Sequence, residues 1–442
     1  MEHFAILAPP FPSHIRALEA LASQLIDFGH AVSWIHQADV EKYICDHRIG
    51  FSAVGASSHP PASLDKTHRR AANPGSLLGL RRVIADIADS TDMLCNEGPQ
   101  VLKNLKVTAI IADQMEAAGG LLAEGLKLPF ISVACALPVN REPAVPLPVM
   151  PWAYATTKRA LELNKKSTRI YDWLMKPHAR VIAKHSKRFG LLLKLTLADC
   201  LSPLAQLSQT STDFDFPRTA LPANFYHVGP LRGASKKEGA LNFPVDPLRP
   251  FVFASLGTLQ GGRFGLFMRV ALACKALNVQ LLVAHCNHLD DRQEQLLRKA
   301  GATWVTGFAN QQAAVKMADV VVTHGGLNTV LDALATGTPM LVLPVAFDQP
   351  GVAARVVHAG AGLTLTPRWA TETSIAAALN RLVHEPGFAH QAAHVGQSFA
   401  LAGGAYQAAR IVLSAVARCP VMKTAPPERT PGYLNEGQIY AT

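Results

Sequence analysis

Charge is scarce in this sequence. Asp, Glu, Lys and Arg make up 17% of the 442 residues, below the roughly 25% of an average soluble domain. Hydrophobic residues reach 49%, which excludes intrinsic disorder, because such a chain can bury enough apolar surface to offset its conformational entropy. Paired cysteines are missing too. Cys45, Cys95, Cys135, Cys200, Cys274, Cys286 and Cys419 are scattered with no CxxC spacing, so a disulfide scaffold is excluded and free thiols in a reducing cytoplasm are expected. No apolar run approaches the ~18 residues that a spanning helix needs; MLVLPVAF at 340–347 is typical of the longest. The opening MEHFAILAPPFPSH has no basic stretch followed by a long apolar one, so a cytoplasmic protein, soluble or peripheral on the inner membrane, is expected. No GxGxxG follows a predicted strand, which weakens a dinucleotide-cofactor reading.

Acidic residues are outnumbered, with 32 Asp and Glu against 42 Lys and Arg, for a net charge of +10. Such an excess suits nucleic acid, an anionic membrane surface or an acidic small molecule. Its placement narrows the choice. Residues 158–194 hold eleven Lys and Arg against Glu162 and Asp172, which is +9 of the +10. Ile170, Tyr171, Trp173, Leu174, Val181, Ile182 and Phe189 are interleaved with them. A basic helical stretch carrying aromatics fits a membrane surface; a solvated helical face reads the same way. No nucleic-acid motif is present.

The rest of the chain alternates short apolar runs with helical periodicity. FAILA (4–8), AVSWI (31–35), AIIA (109–112) and FISVA (130–134) read as strands, with helices between them at Ile15 to Leu25 and over 116–126. A second series follows: FVFAS (251–255), QLLVA (280–284), TWVTG (303–307), DVVVT (319–323) and MLVLP (340–344), alternating with helices over 263–277, 289–300, 311–317 and from 327. This predicts an α/β protein with two doubly wound, Rossmann-like domains facing across a cleft. The expected divisions are 1–232, a polar linker over 233–250, a second domain over 251–419, and a proline-bearing tail over 420–442. Ligands in such sheets meet the carboxyl ends of the strands, and the motifs fall there.

The strongest motif is THGGLNTVLDALATGTPMLVLPVAFDQPGVAAR, residues 323–355. His324, Gly325 and Gly326 follow a strand, and Asn328 and Thr329 open a helix whose unpaired N–H groups attract phosphate. Asp332 lies one turn further along that helix. Asp348 and Gln349 follow the next strand, where a carboxylate and an amide can bond adjacent hydroxyls of one sugar. Taken singly, each of these is also consistent with an ordinary turn or helix cap. Ser255, Gly257 and Thr258 can present N–H groups to a phosphate or simply turn the chain. Phe308 can stack on a base, with Gln311 bonding its edge, or belong to the core. A diphosphate held by a helix end and an imidazole needs no metal, and no resident cofactor is expected.

Segment 304–355 resembles the donor-binding signature of the family 1 glycosyltransferases, which have the GT-B fold and use UDP-sugars. The resemblance runs to about Leu413. More narrowly, APPFPSHIRALEALA, HQADV, the DQMEAAG block and FISVACALPVNREP (130–143) are similar to the zeaxanthin glucosyltransferases of carotenoid-producing bacteria. The resemblance implies that Phe308 and Gln311 meet uracil and ribose, His324, Asn328 and Thr329 the diphosphate, Asp332 the ribose, and Asp348 with Gln349 the glucose of UDP-glucose. Many members carry Trp and Glu where this chain has Phe308 and Asp332. It further implies a base–carboxylate pair, His14 and Asp113, and a reaction that inverts the anomeric centre. His14 is expected in the loop after the first strand and Asp113 at the end of AIIA; both also suit helix caps. The proline-rich apolar stretch 136–154, with Pro138, Val139, Pro146, Leu147 and Trp152, suits a long hydrophobic acceptor such as zeaxanthin or, equally, a packed surface loop. Another lipophilic acceptor of the macrolide kind shares every donor motif. A sugar-nucleotide epimerase or an idle peripheral-membrane module accounts for less of the pattern.

Overall fold

The computed structural model describes residues 1–73, 75–233 and 241–419. Two parallel sheets carry the fold. The first holds β1 (His3–Leu7), β2 (Ala31–His36), β3 (Gly50–Ala53), β4 (Ala109–Asp113), β5 (Phe130–Ala134), β6 (Gln206–Ser208) and β7 (Phe225–His227), in the order β3-β2-β1-β4-β5-β6-β7. The second holds β8 (Phe251–Ser255), β9 (Gln280–Ala284), β10 (Trp304–Thr306), β11 (Val320–Thr323), β12 (Met340–Val342) and β13 (Gly362–Thr364), in the order β10-β9-β8-β11-β12-β13. Every neighbouring pair described is parallel. Helices cover both faces of each sheet, so central strands such as β4, β5, β8 and β9 are buried along their whole length. That is why they read as unbroken apolar runs rather than alternating ones.

Strand order reverses between β1 and β4 in the first sheet and between β8 and β11 in the second. At such a switch point the two following connections leave in opposite directions and open a crevice. Register places Leu7 beside Ala112 in one sheet and Ser255 beside Thr323 in the other. His14 and Asp113 therefore belong to one crevice, and Ser255, Gly257 and His324 to the other.

Three expectations about chain organisation change. Helix Pro12–Asp27 begins at Pro12, where a missing N–H costs nothing in the first turn, so His14 stands on that first turn and not in a loop. The second domain does not run unbroken to 419. Helix Gly387–Ala402 ends at Gly403, and helix Gly404–Ala417 crosses back to pack Ala408, Val412 and Val416 with Leu18, Leu21 and Leu25 of the first domain. Among the described residues, the stretch Gly387–Ala417 is the one that is long and apolar enough to cross a membrane by length and composition; both of its halves pack in the two domain cores. The expected linker has Leu241, Phe243 and Val245 packed against the second domain's core, while 234–240 and the 420–442 tail lie outside the described residues.

Candidate active site

A cavity of about 2280 Å³ lies between the domains, well above the roughly 300–1,000 Å³ of an ordinary small-molecule pocket. His14, Ser255, Gly257, Thr258, Phe308, Gln311, His324, Gly326, Asn328, Thr329, Asp332, Asp348 and Gln349 all line it. Of the proposed acceptor residues, Val139 and Leu147 line it, joined by Pro148, Val149 and Met150. Pro138 and Pro146 are buried outside the lining and Trp152 stands off it, so those three make no wall of this cavity. The 136–157 stretch forms no helix or strand, as its prolines require.

On the first rim, His14 Nδ1 lies 2.7 Å from Asp113 Oδ2. The other carboxylate oxygen accepts the Met115 N–H at 2.8 Å. With Nδ1 committed to Asp113, Nε2 is the ring nitrogen able to take a proton from a ligand. Burial by itself lowers the His14 pKa, but the Asp113 charge and hydrogen bond, with a contribution from Asp348, carry it above its ordinary value of 6.5. Cys135 was not singled out by its sequence, yet it immediately follows β5, the neighbour of β4, and its thiol stands beside the His14–Asp113 pair. His14, Asp113 and Cys135 place one potential metal-ligand atom each within 4.8 Å. Burial and the Asp113 charge push the thiol well above its usual pKa, so it is a protonated neighbour of the carboxylate. Both Asp113 oxygens accept hydrogen bonds, one from the His14 ring and one from the Met115 N–H, an arrangement suited to holding a proton on the imidazole.

On the second rim, His324 sits in a close cradle. A Cβ on Gly257 would come 2.6 Å from its Cε1, and one on Gly326 would come 2.7 Å from its ring. Gly257 also has φ +71°, a conformation that disfavours side chains. Burial drops the His324 pKa to about 4, so the ring is neutral. Its Nδ1 is buried without a hydrogen-bond partner, unlike any other cavity-lining side chain among the described residues. Buried polar groups are normally paired, and this one sits beside the N-terminus of helix Leu327–Ala335.

Asp348 occupies the position before helix Gln349–His358 but makes no capping bond. Instead its carboxylate accepts the Leu137 N–H from the opposite domain at 3.4 Å, and burial raises its pKa. Gln349 folds the preceding loop by accepting the Val345 and Ala346 N–H groups, each at 2.8 Å. Phe347 in that loop has φ +56°, and its ring lies 6.3 Å from Phe11 across the cleft.

Several side chains expected to face ligand are engaged within the protein. Asp332 accepts from Arg232 at 2.7 Å and from Gln311 at 2.9 Å, one on each oxygen. Asn328 donates to the Ser13 carbonyl at 2.9 Å and accepts from Arg232. Arg232, which marked the end of the first domain in the sequence, is therefore a clamp between the domains. Deeper in the interface, Arg355 pairs with Asp215 at 2.6 Å and stacks over Phe216 at 4.3 Å. No motif in the sequence connects those distant residues.

A zeaxanthin glucosyltransferase of Pantoea ananas is 48% identical over 93% of this chain and 95% of its own length. Another, from Pseudescherichia vulneris, is 44% identical over 94% and 98%. Among solved structures, the glycotransferase of kitacinnamycin superposes with a TM-score of 0.74 at 18% identity, covering 94% of this chain and 99% of that one. The calicheamicin glycosyltransferase CalG4 gives 0.71 at 17%, covering 95% and 99%. The two-domain arrangement is thus the GT-B fold. A family model described as UDP-glucoronosyl and UDP-glucosyl transferase matches residues 92–396, and the chain belongs to that family of glycosyltransferases.

Proposed function

We propose that this protein transfers glucose from UDP-glucose to the hydroxyl groups of zeaxanthin with inversion at the anomeric carbon. The observation that carries the mechanism is the His14–Asp113 pair facing Asp348 across the cleft. The acceptor hydroxyl gives its proton to His14 Nε2 as its oxygen attacks the anomeric carbon. UDP departs from the opposite face, toward the second domain, so the new bond forms with inverted configuration. Asp113 holds the imidazole tautomer and stabilises the imidazolium that forms. The leaving diphosphate meets the N–H groups that open helix Leu327–Ala335 and the neutral ring of His324, whose Nδ1 has no partner within the protein. Asp348 and Gln349 stand where the sugar hydroxyls must lie, and Phe308, 64% exposed at the cavity rim, offers a face to uracil.

This route uses no metal, so chelation with EDTA is expected to leave the rate unchanged. The acceptor reading draws on the two curated relatives and on the apolar wall of Val139, Leu147, Val149 and Met150. A carotenoid dissolves in lipid and UDP-glucose in cytosol, so the enzyme works at the inner face of the membrane, with the basic 158–194 segment toward it. The test is incubation of purified protein with zeaxanthin and UDP-glucose, followed by mass spectrometry. Products carrying one or two added hexoses are expected; an unmodified carotenoid overturns the acceptor assignment.

A further inference from the structure

Helix Lys158–Leu174 is built inside out. Its buried residues are Asn164 and Ser167, whereas Leu163, Ile170 and Trp173 are 42%, 60% and 52% exposed. At 3.6 residues per turn, Arg159, Leu163, Lys166, Ile170 and Trp173 fall within an arc of about 80°, so large apolar and cationic side chains share one outward face. An ordinary surface helix turns its apolar stripe to the core. Here the stripe faces away, and an exposed apolar patch of this kind marks an interaction site.

Charge selects the occupant. The face lies in the segment that carries +9 of the chain's +10. Asp172 of that segment is paired with Arg141 at 2.6 Å, and Asp92 and Glu124 from other elements take up Lys184 and Lys194; none of these carboxylates pairs with Arg159 or Lys166, the cations of the outward face. Neighbouring structure extends the patch. Arg81 of helix Leu77–Asn104 places its guanidinium 5.4 Å from the Trp173 ring centroid, and four and three residues before it Leu77 and Leu78 are 69% and 66% exposed. The cavity reaches the same place, since Ile170, Trp173 and Leu80 are among its lining residues.

We infer that this outward face seats the protein on an anionic lipid bilayer and that the acceptor passes from the lipid directly into the cavity beneath Trp173. Cations hold the helix at the headgroups while Leu163, Ile170 and Trp173 reach the acyl boundary. The entry route rests on the lipophilic-acceptor reading; the docking surface does not. Leu163 and Lys166 lie on the face but outside the cavity lining, so they separate docking from catalysis.

Flotation with phosphatidylglycerol-containing vesicles, phosphatidylcholine vesicles and the double variant Leu163→Glu/Lys166→Glu tests this. Wild type is expected to float with the anionic vesicles, to be released by salt, and to glucosylate zeaxanthin embedded in them. The variant is expected to partition about tenfold less or worse and to lose vesicle turnover, while zeaxanthin dispersed in detergent is turned over at the wild-type rate. A wild type that does not float, or a variant that floats and works like wild type, overturns the proposal. So does light scattering that shows the variant splitting a wild-type dimer, which would make the face a contact between copies. Flotation as expected with no turnover in either vesicles or detergent would overturn the acceptor reading and the entry route, and leave the docking surface standing.

Discussion

Two histidines face one cleft from opposite domains, each just beyond a strand at a switch point, and their surroundings drive them apart. Both are half-buried and desolvated, which favours the neutral ring. His14 has a carboxylate at 2.7 Å and a second one across the cleft, so its pKa ends above the ordinary value. His324 has glycines on either side and no partner for Nδ1, so burial acts alone and its pKa falls to about 4. The same side chain thus becomes a proton acceptor on one rim and a contact that is neutral near pH 7 on the other. Residue type and position after a strand do not decide the role; the nearest charge does.

The largest expected effect comes from deleting the charged partner of that comparison. His14→Ala should lower kcat by about 10²–10⁴-fold, with UDP binding by calorimetry unchanged. Asp113→Asn should follow, at roughly 10²-fold. Its pH profile carries the sign: the base must be neutral, so wild-type activity falls as pH drops through a His14 pKa above 6.5. Without the Asp113 charge the burial remains, and the acid limb should move to lower pH. An unmoved limb would separate Asp113 from the titration. His324→Ala should cost roughly ten- to hundredfold in kcat/KM for UDP-glucose, the range for a hydrogen bond to a charged group, and should leave the acid limb in place. The smallest effect belongs to Cys135→Ala. Losing the protonated thiol dipole beside Asp113 leaves its negative charge less screened from His14, so the limb should rise by less than about one pH unit, and Cys135→Ser should restore it.

Much of this comparison was legible from residues alone. Long, fully buried strands such as 130–134 and 251–255 coincide with their apolar runs, because burial on both faces writes a continuous signal. Strands β3, β6, β7 and β13 left none: β10, β11 and β12 are as short but lie in apolar runs, whereas GFSA, QLS, FYH and GLT carry polar residues or glycine and give no continuous signal. His324 and Asp348 were found by the glycine turn and by the strand that precedes each. What stayed hidden was pairwise. Arg232 on Asp332, Arg355 on Asp215 and Asn328 on Ser13 join residues about a hundred to three hundred positions apart, and no local pattern encodes such a meeting. Cys135 was within reach, since it follows a strand adjacent to the one that ends at Asp113, but a lone cysteine has no spacing to announce it. The return of helix Gly404–Ala417 to the first domain was likewise invisible in its own periodicity, which states that it has a buried face and not which core receives it.

The opposite titration of these two imidazoles is measured directly by an NMR pH titration of the protein with labelled histidine. The two resonances are assigned by their loss in His14→Ala and His324→Ala. His14 should take up its proton above pH 6.5, and His324 should stay neutral until about pH 4. A His14 that titrates below its ordinary value, or a His324 that is protonated near neutrality, would contradict the assignment of one as base and the other as neutral diphosphate contact.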